Sequence, residues 1–199
     1  MHYLVMDLEM SGVDPVVHDI IQIGACLYTD KWVLLGTYSQ NIYPENIEEF
    51  NSLSERIHGL SLEDLEDEPL IYDVLPEFEN WVYKTTHLNK KFHNLRDVVI
   101  CGQSVINDIN YLQFAYRKAQ TEWPFSFKLI DLHTLAYFYF QILTANKMAV
   151  PNKLSLNAIA GFFGIQRAEN AHNALEDAQI TAECFKEIFN NCGKLKISE

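Results

Sequence analysis

An apolar segment that ends on two acids constrains this chain most. It runs Tyr3-Leu4-Val5-Met6-Asp7-Leu8-Glu9 and then breaks at Met10-Ser11-Gly12. Residues two apart on an extended strand point to the same side, so Asp7 and Glu9 present both carboxylates to one face. Two like charges held that close repel each other. A divalent cation between them relieves the repulsion, and oxygen ligands suit Mg²⁺ or Mn²⁺. A strand end with two solvated acids satisfies the same pattern, so the pair acquires meaning only if the rest of the chain supplies partners.

The chain is long enough to form one domain with a substantial core. Its 199 residues, 48% of them hydrophobic, read as a single globular domain over 1–199. No stretch has the length and apolarity of a membrane span, and Met1-His2-Tyr3-Leu4 lacks the pattern of a signal peptide. The expectation is therefore a cytoplasmic protein with no membrane partner. Cys26, Cys101, Cys184 and Cys192 form no Cys-x-x-Cys pair and read as reduced, with no zinc site. The net charge of −12 argues against an extended, sequence-independent grip on a nucleic acid duplex. It leaves room for short or single-stranded partners, because bound divalent ions cancel acidic charge locally.

Periodicity orders the remainder. Ile20–Tyr28 and Trp32–Tyr43 read as strands joined by the short turn Thr29-Asp30-Lys31, hence antiparallel. Ser61-Leu62-Glu63-Asp64 resembles a capping box, and Leu70, Val74, Leu75, Phe78 and Val82 mark a longer helix. Lys84–Arg96 is a polar segment, read as a solvated loop rather than a phosphate-binding patch. Asp97–Cys101 is a fourth strand, followed by a helix over Val105–Ala119. Phe127–Ile130 is a fifth strand, and Leu132–Thr144 is a helix apolar all round, so either central or pressed on a partner. Leu154–Phe163 and Ala174–Asn191 complete the helices. This order predicts an α/β fold with a mixed five-stranded sheet, its first three strands antiparallel, flanked by helices. Sites in such sheets gather at the strand C-terminal ends, where Asp7 and Glu9 lie.

Two further acids fall in suggestive places. Asp108 shares a helix face with Leu112 and Ala115, the face that should cover the sheet. A buried acid there needs a partner or a metal, although an Asp near a helix start also suits the dipole. Asn173 and Glu176 have capping-box spacing, which places His172 just outside the last helix and Asp177 one turn inside it. Ala174, Ala178, Ala182 and Phe185 form the buried stripe of that helix, with Asp177 on its edge.

In order and context these residues resemble the DEDDh (DnaQ-like) family of 3′–5′ exonucleases, which has a ribonuclease H-like fold. Asp7-x-Glu9 with Gly12 matches the family's first motif, Asp108 the second, and His172, Ala174 and Asp177 the third. Ile57-His58-Gly59-Leu60-Ser61 resembles a further family element. Cys101-Gly102 followed by Ser104, and the Asp7–Gly12 stretch, look more like oligoribonuclease, and His172–Ala178 more like the proofreading epsilon subunit, so the subgroup is open. The resemblance implies two divalent cations held by Asp7, Glu9, Asp108 and Asp177, with His172 as general base. It also implies contacts to the 3′-terminal nucleotide from Met10, Ser11, Gly12, His58 and Ser104. The partners implied are single-stranded DNA or RNA 3′ ends, in a homodimer or a larger replication or repair assembly. A noncatalytic module on the same fold, binding nucleic acid or protein, is the alternative reading.

Overall fold

The computed structural model describes residues 1–90, 94–168 and 173–192. Five strands form one sheet in the order β3-β2-β1-β4-β5. They are β1 (His2–Met10), β2 (Ile20–Thr29), β3 (Leu34–Asn41), β4 (Val98–Gly102) and β5 (Leu129–Asp131). β1 pairs antiparallel with β2, and β2 with β3, while β4 is parallel to both β1 and β5. The predicted mixed sheet and its antiparallel start are therefore what the chain forms. β1 is central, flanked on both sides, which is why its apolar run extends over both faces.

Helices cover both faces. One face carries α3 (Ile71–Thr86) and α4 (Ile106–Lys118), reached through the short helices α1 (Ser52–His58) and α2 (Leu62–Leu65); the other carries α5 (Leu132–Ala145), α6 (Leu156–Phe162) and α7 (Ala174–Cys192). The alternation of β1 divides its side chains between the two sides. Leu4, Met6 and Leu8 pack with Val74, Phe78 and Val82 of α3 and Leu112 of α4. Val5 faces the opposite cluster, with Ala178, Ala182 and Phe185 of α7 and Leu132 and Phe140 of α5. Asp7 and Glu9 share the side of Val5, so they lie under α7.

Several boundaries differ from the sequence reading, each for a local reason. β3 begins at Leu34 rather than Trp32, because the hairpin is closed by a wider turn. The Thr29 hydroxyl accepts from the Lys31 and Val33 amides, and Trp32 adopts a left-handed φ of 58°. Trp32 instead stacks on Tyr3, ring centroids 4.8 Å apart, and on Phe185. α3 continues to Thr86, so Lys84 is helical, and positions 91–93 of the polar segment lie outside the described residues. Leu129–Asp131 forms the fifth strand, whereas Phe127 stands in the preceding loop and is 80% exposed. α5 is not buried all round: Tyr139 and Phe140 face the core, and Tyr137 and Phe138 face outward. The capping box at Ser61–Asp64 is present in both directions. Among the described residues the four cysteines are free thiols, and no helix is long and apolar enough to cross a membrane.

Candidate active site

The site is built where β1 runs out beneath the start of α7. Opposite Asp7 in the antiparallel register stands Gly24, and opposite Glu9 stands Gln22. Both β2 residues serve the helix above. A Cβ on Gly24 would lie 2.0 Å from the Ala174 carbonyl carbon, so only glycine lets the first turn of α7 sit directly on the sheet. The Gln22 side-chain oxygen accepts the Ala174 amide at 2.8 Å, satisfying one donor that a helix start leaves unpaired. The Gln22 amide donates in turn to Asn41, whose own amide donates to Glu68. A partly buried polar relay across β2 and β3 thus fixes where α7 begins. The Asn173 side chain accepts from the Leu175 and Glu176 amides, which confirms it as the helix cap. Glu176 does not complete the reciprocal half of that box. Its carboxylate accepts the Ala168 amide at 2.6 Å and so anchors the segment that precedes the helix.

This anchoring brings Asp177 down onto β1. One carboxylate oxygen each from Asp7, Glu9 and Asp177 lies within 4.8 Å of the others. Asp108 joins from α4. Its Oδ1 accepts the Leu8 amide at 3.0 Å, between the two β1 acids. Asp108 and Asp177 are each 4% exposed and Glu9 is 7% exposed, so the cluster is enclosed although Asp7 keeps partial access. Burial, followed by repulsion from Asp108, Glu9 and Asp177, holds Asp7 well above the usual carboxylate range. Burial, then Asp177 and Asp108, pushes Glu9 up to about 8. Burial pushes Asp108 up to about 7, opposed by backbone amides that bond its charged form.

Among the described residues, one cation sits with these acids. Arg167, in the segment between α6 and α7, pairs with Asp177 and approaches Glu176 at 3.4 Å. Its charge counters the upward push on Asp7 and Glu9. Sequence reasoning missed it. Its signal was only an arginine within ten residues of an acidic motif, and nothing in the spacing separates that from a surface charge.

The cluster fits a hard divalent cation. The donors are carboxylate oxygens, and Glu9 Oε1 is buried with no hydrogen-bond partner among the described residues. An oxygen left bare in that setting is costly unless something positive meets it.

The remaining predicted residues distribute around this centre. Met10 and Gly12 line a cleft of about 380 Å³ with Val13, Pro15, Asn107, Asn110 and Tyr111. The Tyr111 hydroxyl donates to the Gly12 carbonyl at 2.7 Å and so closes the floor. Ser11 is fully buried, and its polar groups are engaged internally. Its amide donates to the Asp19 carbonyl, its hydroxyl accepts the Asp19 amide, and its carbonyl accepts the Asn51 amide. That last bond tethers α1 to the end of β1. On α1, His58 is buried, and its Nδ1 accepts the Leu60 amide, so Nε2 carries the ring proton and has no partner among the described residues. Burial pushes His58 down to about 4. Ser104 lies elsewhere. It adopts a left-handed φ of 53° and lines a separate cleft with Ile106, Leu129, Asp131, His133 and Thr134. His172 falls outside the described residues.

Sheet order and layers together define a ribonuclease H-like architecture, with the acidic centre at the end of β1. A family model described as an exonuclease matches residues 4–185, and the chain belongs to that family. Among characterised relatives, the chain is 28% identical over 201 residues to a PolC-type DNA polymerase III of Thermotoga petrophila, covering 99% of this chain but 13% of that protein. It is 26% identical to the DNA polymerase III epsilon subunit of Rickettsia felis, over 93% of this chain and 72% of that one. It is 27% identical to the 3′–5′ exonuclease DinG of Staphylococcus aureus, over 98% and 19%. The nuclease domain of 3′hExo, a DEDDh family member bound to rAMP, superposes with a TM-score of 0.76 at 18% identity, over 100% of this chain and 96% of that one. Exonuclease I of E. coli in complex with a dT13 oligonucleotide superposes with a TM-score of 0.79 at 14% identity, over 97% and 42%. These structures establish the likeness of fold.

Proposed function

We propose that the chain is a metal-dependent 3′–5′ exonuclease that hydrolyses single-stranded nucleic acid to nucleoside 5′-monophosphates. The observation that carries this reading is the convergence of Asp7, Glu9 and Asp177 within 4.8 Å. Two divalent cations, Mg²⁺ or Mn²⁺, would when bound activate the attacking water and stabilise the charge that develops on the phosphate. Asp7, Glu9 and Asp177 would hold one of them, and Asp7 with Asp108 the other. The protein's own part is positional. The Leu8 amide fixes the Asp108 carboxylate beside β1, and Gln22 fixes the helix that carries Asp177. His172, one residue before the Asn173 cap, would take a proton from the water, a role histidine side chains commonly fill.

The cleft bounded by Met10, Gly12, Asn107 and Asn110 adjoins these acids in sequence and would seat the terminal nucleotide. Its apolar wall of Met10, Val13 and Pro15 suits a base or sugar face. Ser11 supports this cleft from behind, His58 offers an Nε2 donor from α1, and Ser104 lines a separate cleft. The chain spans 13% of the length of the PolC-type relative, so any replication or repair assembly belongs to this proposal and not to the family assignment.

The test uses single strands of DNA and of RNA, labelled at either end, with Mg²⁺ or Mn²⁺. Stepwise loss from the 3′ end that stops on chelation is the expected result. Full activity in Asp7→Ala would overturn it. Noncatalytic binding would appear as strand retention without cleavage in every metal.

A further inference from the structure

The proposed reaction leaves Arg167, which sits in the acidic centre, without a task. Its guanidinium pairs with Asp177, approaches Glu176 at 3.4 Å, and lies 3.5 Å from the Asn157 side-chain oxygen on α6. The pair is enclosed, with side-chain exposures of 12% for Arg167 and 5% for Asp177. A guanidinium stays charged at every working pH, and its planar fork matches a carboxylate. Buried acids at this density are relieved by protonation or by a compensating positive charge, and Arg167 is placed to supply the charge. Asp177 is also one of the three acids that converge on the candidate metal position. A guanidinium and a divalent cation therefore compete for the same carboxylate.

We propose that Arg167 sets the metal affinity of this centre: it is the internal counter-ion of the metal-free site, and cation binding exchanges Asp177 from the guanidinium to the ion. The proposal rests on the reading that Asp7, Glu9 and Asp177 bind a divalent cation. The architecture permits the exchange. The segment carrying Arg167 has its own tether, the Ala168 amide bonded to Glu176 at 2.6 Å, so the guanidinium can leave Asp177 while the backbone stays attached. Asn157 and Glu176 remain as partners for the displaced side chain.

The experiment is Mn²⁺ titration of the full chain by calorimetry, with thermal melts of the metal-free protein at pH 8. Arg167→Gln keeps a polar side chain and removes the charge. It is expected to bind Mn²⁺ about tenfold more tightly than wild type. The metal-free variant is expected to melt at a lower temperature, a difference that closes at saturating Mn²⁺. Arg167→Lys keeps the charge without the fork and is expected to tighten binding about threefold, carrying the test should the glutamine variant not fold. Binding by folded variants that is equal to or weaker than wild type overturns the proposal and makes Arg167 a support for Asp177. Wild type that binds no Mn²⁺ overturns the metal reading itself, and the exchange with it.

Discussion

Asp108 Oδ1 accepts the Leu8 amide at 3.0 Å, a bond between residues one hundred positions apart that fastens a helix side chain to the backbone between Asp7 and Glu9. Leu8 is the one residue separating the two β1 acids, so this contact ties the second acidic element to the first through the backbone. It separates two roles of Asp108 that substitutions can resolve.

Asp108→Asn retains an oxygen able to accept the Leu8 amide and removes a repelling charge. It is expected to leave the metal-free protein as stable as wild type or more so, while lowering activity. Asp108→Ala leaves that amide buried without a partner, at a cost of about 1–3 kcal/mol. Urea melts of both variants without metal, beside activity assays, check the order. Equal stability of the two would show that the bond carries no weight.

The acidic cluster makes the metal-free fold sensitive to pH in an unusual direction. Glu9 and Asp108 are raised to about 8 and about 7, and Asp7 is raised with them. An acid whose pKa is higher folded than unfolded binds its proton better when folded. Its contribution to stability is therefore complete below about pH 4 and is lost as pH rises through 7 to 8. Metal-free protein is expected to melt at progressively lower temperature from pH 5 to pH 8.5, apart from any general acid denaturation. Mn²⁺ should reverse the trend and release protons on binding, more at pH 6 than at pH 9. Calorimetry in two buffers of different ionisation enthalpy measures that release.

The seat of α7 on β2 gives a structural prediction. Gly24→Ala places a Cβ against the backbone at Ala174, where nothing can yield without moving the helix. A loss of about 1–3 kcal/mol is expected, together with weaker metal binding because Asp177 moves with its helix. Gln22→Leu leaves the Ala174 amide buried and unpaired and should have a similar cost. Denaturant melts and Mn²⁺ titration report the two effects separately.

His172 is tested by rate. His172→Ala is expected to slow hydrolysis by roughly 10²–10⁴-fold with metal affinity nearly unchanged. Single-turnover assays at saturating Mn²⁺ isolate that effect, and an unchanged rate would remove His172 from the reaction.

The local elements were legible because each follows from neighbours in the chain. The apolar run of β1, the capping box at Ser61 and the stripe of Ala174, Ala178, Ala182 and Phe185 need no distant information. Trp32 was misplaced in a strand because its preference is met by stacking on Tyr3 and Phe185, partners that only the folded sheet supplies. Tyr137 and Phe138 show the same limit, since apolarity on every side of α5 does not say which side faces water.

In the acidic centre, residue type and order made Asp7, Glu9, Asp108 and Asp177 candidates: a strand's period places two of them on one face, and the resemblance to a known family, rather than periodicity, joined the other two to them. Tertiary structure alone decided how they meet. Asp108 reaches the Leu8 amide across the sheet, Gly24 and Gln22 set the height of α7, and Arg167 enters from a loop whose spacing carries no signal. The reason is physical: periodicity encodes which way a side chain points along its own element, whereas the distance between elements is set by packing and by hydrogen bonds between residues far apart in the chain.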